Sequence, residues 1–245
     1  MQDDVGTVLA LPSRVRRVVS IVPSLTEAIA ATHRELLVGA TDWCTHPEDL
    51  DVTRVRGTKN PDLELIRELA PDVVIANAEE NREPDLATLR AAGIAVWVTA
   101  PTTLDESLGS LRRMLSAITG DVPQWLVDAT ASWSTPYAGP RRRAIVPIWR
   151  RPWMALGRDT FAGDVLRRLG IDNVLADSLE RYPKFDPAEL PQYDVVVLPD
   201  EPYAFAPNDG PEAFAGPAKC VSGRHLTWYG PSLTEARRVL TEQLQ

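Results

Sequence analysis

Residues 16–42 read RRVVSIVPSLTEAIAATHRELLVGATD, and residues 141–173 read RRRAIVPIWRRPWMALGRDTFAGDVLRRLGIDN. Both open on arginines and pass into a short β-branched run. VVSIV leads to Pro23-Ser24 and a helix-like stretch, then to VGATD. AIVPI leads through Gly157-Arg158-Asp159 to the helix pattern TFAGDVLRRLG and then NVLAD. The first pass goes on through the helix LELIRELA to the strand VVIAN. The second goes on through DPAEL to YDVVVLPD. Strands alternating with helices predict parallel sheets built from βαβ units. One plan run twice predicts an α/β protein of two Rossmann-like lobes, with a ligand cleft between them.

The rest of the chain fits around these passes. Residues 1–116 are expected to form the N-terminal lobe, 117–138 a long connecting helix and 139–245 the C-terminal lobe. The leader, residues 1–16, is expected to pack on the first lobe. Ser24 or Thr26 is expected to cap the first helix. Leu108, Leu111, Leu115 and Ile118 recur at helical spacing, as a core-facing stripe does. Val122 to about Tyr137 reads as helix, stopped by Gly139-Pro140. After the strand CVSG, the stretch RHLTWYGPS reads as a loop before the final helix LTEARRVLTEQL.

The chain of 245 residues can bury a full core, and its net charge of −8 argues against a general nucleic-acid binder. Two cysteines, Cys44 and Cys220, imply no disulfide framework. The start, MQDDVGTVLALPSRVRR, puts acids before a short apolar piece, unlike a secretory signal. With no lipid-attachment cysteine and no apolar span, the expected location is the cytoplasm. It becomes the periplasm or cell surface if the native chain begins further upstream.

In order along the chain, RRVVSIVPSLTEAI, VGATDWCTHP, RGTKNPDLELIRELAPDVVIAN, LRAAGIAVWV, GRDTFAGDVLRRLGIDNVLAD, RYPKF, YDVVVLPDEPYAF and LTWYG cover nearly the whole sequence. This set resembles the class III substrate-binding proteins of ABC importers, the vitamin B12- and ferric-siderophore-binding family, or helical-backbone metal receptors. The Cys-x-His-Pro turn, the GTKNP loop and the LP-x-EP-Y-x-F loop resemble its leaderless, cobalamin-binding-like branch. The resemblance implies two lobes joined by one long helix. It also implies cleft aromatics at Trp43 and Tyr182, with Trp228 in a last loop that faces the cleft. Thr58 stands where the vitamin B12-binding proteins place a tryptophan, so one stacking surface is missing. Glu64 matches the glutamate that docks on a permease arginine. Glu189 lies one position from its C-lobe counterpart.

The residues at the expected strand ends carry the chemistry. Helix starts at Ser24 and near Thr160 can bind anions or simply be capped. The aromatics are Trp43, Trp149, Trp153, Tyr182, Tyr203, Phe205 and Trp228; all but Trp149 fall in loops expected after strands. They can cover a flat ligand or pack the proline-rich loop. The bases Arg56, Lys59, Arg150, Arg151, Arg158 and Arg181 can hold ligand carboxylates, or pair with Glu79, Glu80, Asp200 and Glu201. Cys44 and His46 can place two ligands on one metal, with Glu80 or Glu201 as a third, or simply build a turn. The sequence has no nucleophile elbow, Walker loop, dinucleotide fingerprint or HExxH motif, so no enzyme is expected. The expected ligand-binding set is Ser24, Trp43, Cys44, His46, Lys59, Glu80, Trp153, Arg158, Tyr182, Glu201 and Trp228, with Glu64 and Glu189 for docking. The expected function is a monomeric solute-binding protein for a metal chelate: a corrinoid such as cobalamin, a ferric siderophore or haem. It requires no cofactor, and an ABC permease is the expected partner. The alternative is a cytoplasmic metal or metabolite carrier or sensor without a transporter.

Overall fold

The computed structural model describes all residues, 1–245. The chain divides into two compact lobes. Lobe 1 holds Met1–Pro101, Ser107–Val127 and Tyr229–Pro231. Lobe 2 holds Thr102–Glu106, Asp128–Trp228 and Ser232–Gln245. No helix is long and apolar enough to cross a membrane.

Lobe 1 runs β1 (Val18–Ser20), α1 (Pro23–His33), β2 (Leu37–Ala40), β3 (Thr53–Arg54), β4 (Arg56–Gly57), β5 (Asn60–Pro61), α2 (Leu63–Glu68), β6 (Val73–Asn77), α3 (Glu83–Ala91) and β7 (Val96–Thr99). Five of these strands form a parallel sheet in the order β3-β2-β1-β6-β7, while β4 and β5 pair as a small antiparallel hairpin. Every residue of β1, β6 and β7 is buried. That is why these strands read as unbroken apolar runs, as parallel strands covered on both faces do. Val19, Ile21, Val74, Val98 and Leu89 meet in the core. Asp62 caps α2 by accepting from Leu65 N at 3.1 Å. The leader packs on this lobe as expected. Asp4 N donates to Val98 O at 3.1 Å, and Val98 N donates to Asp3 Oδ2 at 3.1 Å, so the free edge of β7 is covered.

Two helices follow: α4 (Leu104–Thr119) and α5 (Gln124–Ser132). The predicted stripe on α4 is inward, with Leu111 and Leu115 fully buried and Leu108 and Ile118 nearly so. Residues 117–138 are not one continuous helix. They hold the end of α4, a break after Gly120 at φ +84°, and the nine residues of α5. Glycine supplies the left-handed conformation there, and Pro123 cannot continue a helix because it lacks an N–H.

Lobe 2 runs β8 (Arg142–Ile145), β9 (Pro147–Arg150), β10 (Trp153–Ala155), α6 (Phe161–Arg168), β11 (Ile171–Asn173), β12 (Val195–Pro199), β13 (Ala218–Val221), α7 (Gly223–Thr227) and α8 (Leu233–Leu244). Its parallel sheet has the order β11-β8-β12-β13, with β9 and β10 as a separate antiparallel hairpin. Three readings are corrected here. The run AIVPI is not one strand, because Pro147 has no N–H to continue the ladder and opens β9 instead. The strand expected at NVLAD lies earlier, at Ile171–Asn173. Residues expected to be loop after CVSG start with the short helix α7, capped where Ser222 accepts from His225 N.

Both sheets contain a switch in strand order. In lobe 1 the chain leaves β1 for β2 on one side and later enters β6 on the other. In lobe 2 it leaves β8 for β11 on one side and enters β12 on the other. In open parallel sheets, ligands bind beyond the carboxyl ends of the strands at such points.

Candidate functional site

The carboxyl-end rim of lobe 1 is held by two asparagines. Asn77, the last residue of β6, donates from Nδ2 to Tyr229 Oη at 2.7 Å and to Thr99 O at 3.1 Å. Its Oδ1 accepts from the backbone of Glu79 at 2.8 Å and of Glu80 at 3.1 Å. Asn81 accepts from Asn77 N at 2.8 Å and donates to Ile21 O and Thr58 O. Two buried amides therefore join the turn after β1, the β4–β5 hairpin and the loop after β6. Buried amides of this kind are stable only when their donors and acceptors are satisfied. The Tyr229 hydroxyl closes the network with a 2.8 Å bond to Thr99 Oγ1. Burial first, and then Glu80, hold its pKa far above that of a free tyrosine.

The loop after β2 is held by Arg54. Its guanidinium donates to Thr41 O and Cys44 O at 2.9 Å and to Leu50 O at 3.0 Å. Trp43 on this loop is 66 % exposed, beside the bare α-carbon of Gly57. Cys44 is turned the other way. It is fully buried, with Sγ 3.1 Å from both Thr26 Oγ1 and Thr41 Oγ1. Burial raises its pKa, with the threonine hydroxyls and Arg54 pulling against that rise. Its thiol therefore faces protein hydroxyls rather than an outside metal. The half-exposed His46 has its Nδ1 3.2 Å from Thr45 Oγ1. No group of three or more His, Cys, Asp or Glu side chains is arranged to hold a metal ion.

Ser24 does not cap α1. The cap is Val22, with Pro23 in the first turn, and Ser24 lies inside the helix, 3 % exposed, with an unpartnered Oγ. Proline preorganises a helix start without a capping side chain. Lys59 is exposed on the β4–β5 hairpin and donates from Nζ to Glu79 O. Glu80 is half-buried, on the loop after β6. Trp43, Lys59 and Glu80 thus share the rim of lobe 1.

The rim of lobe 2 repeats the device. Asn173, the last residue of β11, donates to Leu156 O at 2.8 Å and Gly157 O at 3.2 Å and accepts from Leu175 N. Gly157 N donates to Arg181 O at 2.7 Å, which brings the Tyr182 segment against the end of β10. A Cβ on Gly157 would lie 2.1 Å from Glu180 O, so only glycine permits this approach. Arg158 is exposed and paired with Asp159 at 2.6 Å. Trp153 lies face to face with Phe205 and edge-on to Phe214, which makes it part of the lobe's aromatic core. Trp228 is 8 % exposed and donates from Nε1 to Glu201 Oε2 at 2.8 Å. Trp228 is packed inside the lobe and Trp153 is half-buried among these aromatics, while Arg158, Tyr182 and Glu201 are also at least partly open.

Glu64 is exposed in the first turn of α2 and pairs with Arg67 at 2.9 Å. Glu189 is exposed at the end of the 3-10 turn Pro187–Glu189, which Asp186 caps. Sequence reasoning missed Arg54, Asn77, Asn81, Asn173 and Tyr229. Asn77 and Asn173 are each the last residue of a parallel strand, and an asparagine that closes a strand is the signal that could have found them.

No family model matches the chain. The vitamin B12-binding protein of Vibrio cholerae is 27 % identical over 190 residues, covering 73 % of this chain and 67 % of the relative. That of Salmonella typhimurium is 28 % identical over 177 residues, covering 69 % and 65 %. Among solved structures, the periplasmic vitamin B12-binding protein BtuF of Vibrio cholerae superposes with a TM-score of 0.76 at 20 % identity, over 95 % of this chain and 98 % of that one. Helicobacter pylori CeuE with Ni(II) bound gives 0.81 at 13 % identity, over 99 % and 87 %. The fold is therefore that of periplasmic binding proteins of this type. In fold the chain is similar to these binding proteins, and in sequence to the vitamin B12-binding proteins.

Proposed function

We propose that this protein is a solute-binding protein for a metal chelate: a corrinoid such as cobalamin, a ferric siderophore or haem. The observation that carries the reading is the pair of topological switch points. The strand-end loops are locked by the buried Asn77 in lobe 1 and by the half-buried Asn173 in lobe 2, and each rim is furnished with an aromatic ring and charged groups. The sequence relationship to vitamin B12-binding proteins supports the ligand class, and those relatives are named as binding proteins, not enzymes. Trp43 offers a flat apolar face. Lys59, Arg158, Glu80, Glu201 and Tyr182 offer hydrogen bonds to amide, carboxylate or hydroxyl groups at a chelate's edge. The exposed Glu64 and Glu189 suit contact with a basic permease surface. The protein works as a monomer in this reading.

Isothermal titration calorimetry of the whole chain with cobalamin, haem and a ferric siderophore tests it. We expect one site per chain with micromolar or tighter affinity for at least one of the three. No heat with any of them, repeated at two temperatures so that a zero enthalpy is not mistaken for no binding, refutes the chelate reading.

A further inference from the structure

We propose that Trp149 and Arg151, on the β9–β10 hairpin, are specificity-determining residues that select a planar chelate with carboxylates on its periphery. This rests on the reading of the protein as a chelate binder and narrows the ligand within it.

The first argument is where the tryptophans are. The chain has seven. Trp97, Trp133 and Trp228 are buried, and Trp125 and Trp153 are half-buried. The two left open are Trp43, 66 % exposed, and Trp149, 43 % exposed. They belong to different lobes. Trp43 follows β2, beside the switch strand β1. Trp149 follows β8, the switch strand of lobe 2. An isolated exposed apolar side chain needs no explanation. An open indole at the rim where the strands of a parallel sheet end, as Trp149 stands in lobe 2, is a placement that ligand contact explains.

The second argument is rigidity. The rings of Trp149 and Tyr203 meet in a T-shaped contact, 5.8 Å between centroids and 82° between planes. Tyr203 is fixed by its hydroxyl on Asp209 Oδ2 at 2.7 Å and by Phe205 at 4.6 Å. Arg150, next in the chain, pairs with Asp209 and Glu212 and lies 5.5 Å from the Trp153 ring. The open indole is thus held in place before any ligand arrives, which lowers the entropy lost on binding.

The third argument is charge. Arg150 and Arg158 are neutralised by carboxylates. Arg151 is exposed at the hairpin tip and has no acidic partner. A free guanidinium two residues from an open indole suits a π-system edged with carboxylates, because Arg meets a carboxylate with two parallel hydrogen bonds. A corrinoid edged mainly with neutral amides gains less from it.

Absorbance titrations of the full chain with haem and with cobalamin, at two salt concentrations, test the inference. The wild type is expected to bind haem more tightly than cobalamin. Trp149→Ala should weaken both by about tenfold or more, with Trp149→Phe recovering part of the loss. Arg151→Gln should weaken haem by about tenfold and flatten its salt dependence, yet shift cobalamin by less than about twofold. Both variants should melt with the wild type, since neither side chain is buried. Unchanged affinities in the variants overturn this inference and leave the chelate reading intact. A wild type that binds neither haem nor cobalamin overturns the inference, and binding of a ferric siderophore alone would then still uphold the broader reading.

Discussion

The Trp228 indole is 8 % exposed, its Nε1 donates to Glu201 at 2.8 Å, and the guanidinium of Arg224 lies 6.0 Å from its ring. A ring so placed belongs to the fold first. Trp228→Ala should cost about 3–5 kcal/mol, the range for deleting a buried aromatic. Trp228→Phe keeps a ring but removes the donor to Glu201, and should cost about 1–3 kcal/mol. Trp43→Ala, at a site 66 % exposed, should stay within about 0.5 kcal/mol. Urea unfolding midpoints check all three, and equal losses at positions 43 and 228 would contradict the assignment. The sequence shows both residues as loop aromatics and cannot separate them. What separates them is a partner 27 residues away for Trp228, and for Trp43 only the absence of a side chain at Gly57. Cys44 teaches the same lesson. Its neighbours Thr45 and His46 suggest a metal turn, but its thiol lies against Thr26, which only the folding of α1 brings near.

At the scale of elements, α6 was legible because its signals are local. Thr160 accepts from Gly163 N at 3.3 Å, the apolar positions Phe161, Ala162, Val165 and Leu166 are buried, and Gly170 follows at φ +81°. The same logic failed for α7, whose five residues are too few for a periodic pattern, and for the β9–β10 hairpin, where one proline divides an apolar run. What the sequence does not show on α6 is Asp164. Its carboxylate is 9 % exposed. It accepts from Leu104 N at 3.0 Å, from Arg167 at 2.6 Å and from Arg168 at 3.0 Å. Burial pushes its pKa up, but these hydrogen bonds outweigh burial and the net shift is downward from 3.8. A carboxyl with a depressed folded-state pKa stabilises fully above its unfolded value. That contribution is lost as pH falls through the lower, folded value. Asp164→Asn should therefore cost about 2 kcal/mol at neutral pH, a modest figure because Arg167 is largely exposed. Below about pH 3.8 the gap between variant and wild type should narrow. Chemical denaturation across pH checks it, and a gap constant down to pH 2 would show that Asp164 acts through shape alone.

At the scale of the whole molecule, the doubled βαβ plan was the most legible feature, because parallel strands buried on both faces must read as apolar runs. The assignment of chain to lobe was not legible, because it follows contacts between residues far apart in sequence. Tyr229–Pro231 belongs to lobe 1 although the residues on either side of it belong to lobe 2. Within lobe 1, Tyr229 supplies the hydroxyl that Asn77 Nδ2 and Thr99 Oγ1 meet at 2.7 and 2.8 Å in a buried network. A fragment ending at Val127 carries nearly all of lobe 1 but lacks that hydroxyl. Its absence leaves buried polar groups short of a partner, at about 1–3 kcal/mol each. The fragment should therefore melt below the full chain even if its sheet forms. In the intact protein, Tyr229→Phe removes only the hydroxyl, and should cost about 1–3 kcal/mol. Thermal melts followed by circular dichroism separate the outcomes. A full-chain Tyr229→Phe as stable as the wild type would mean that the Asn77 network closes without it. The loops after β6 and β7 would then owe their positions to their own backbone bonds, and the fragment's stability would be set by lost apolar contacts instead.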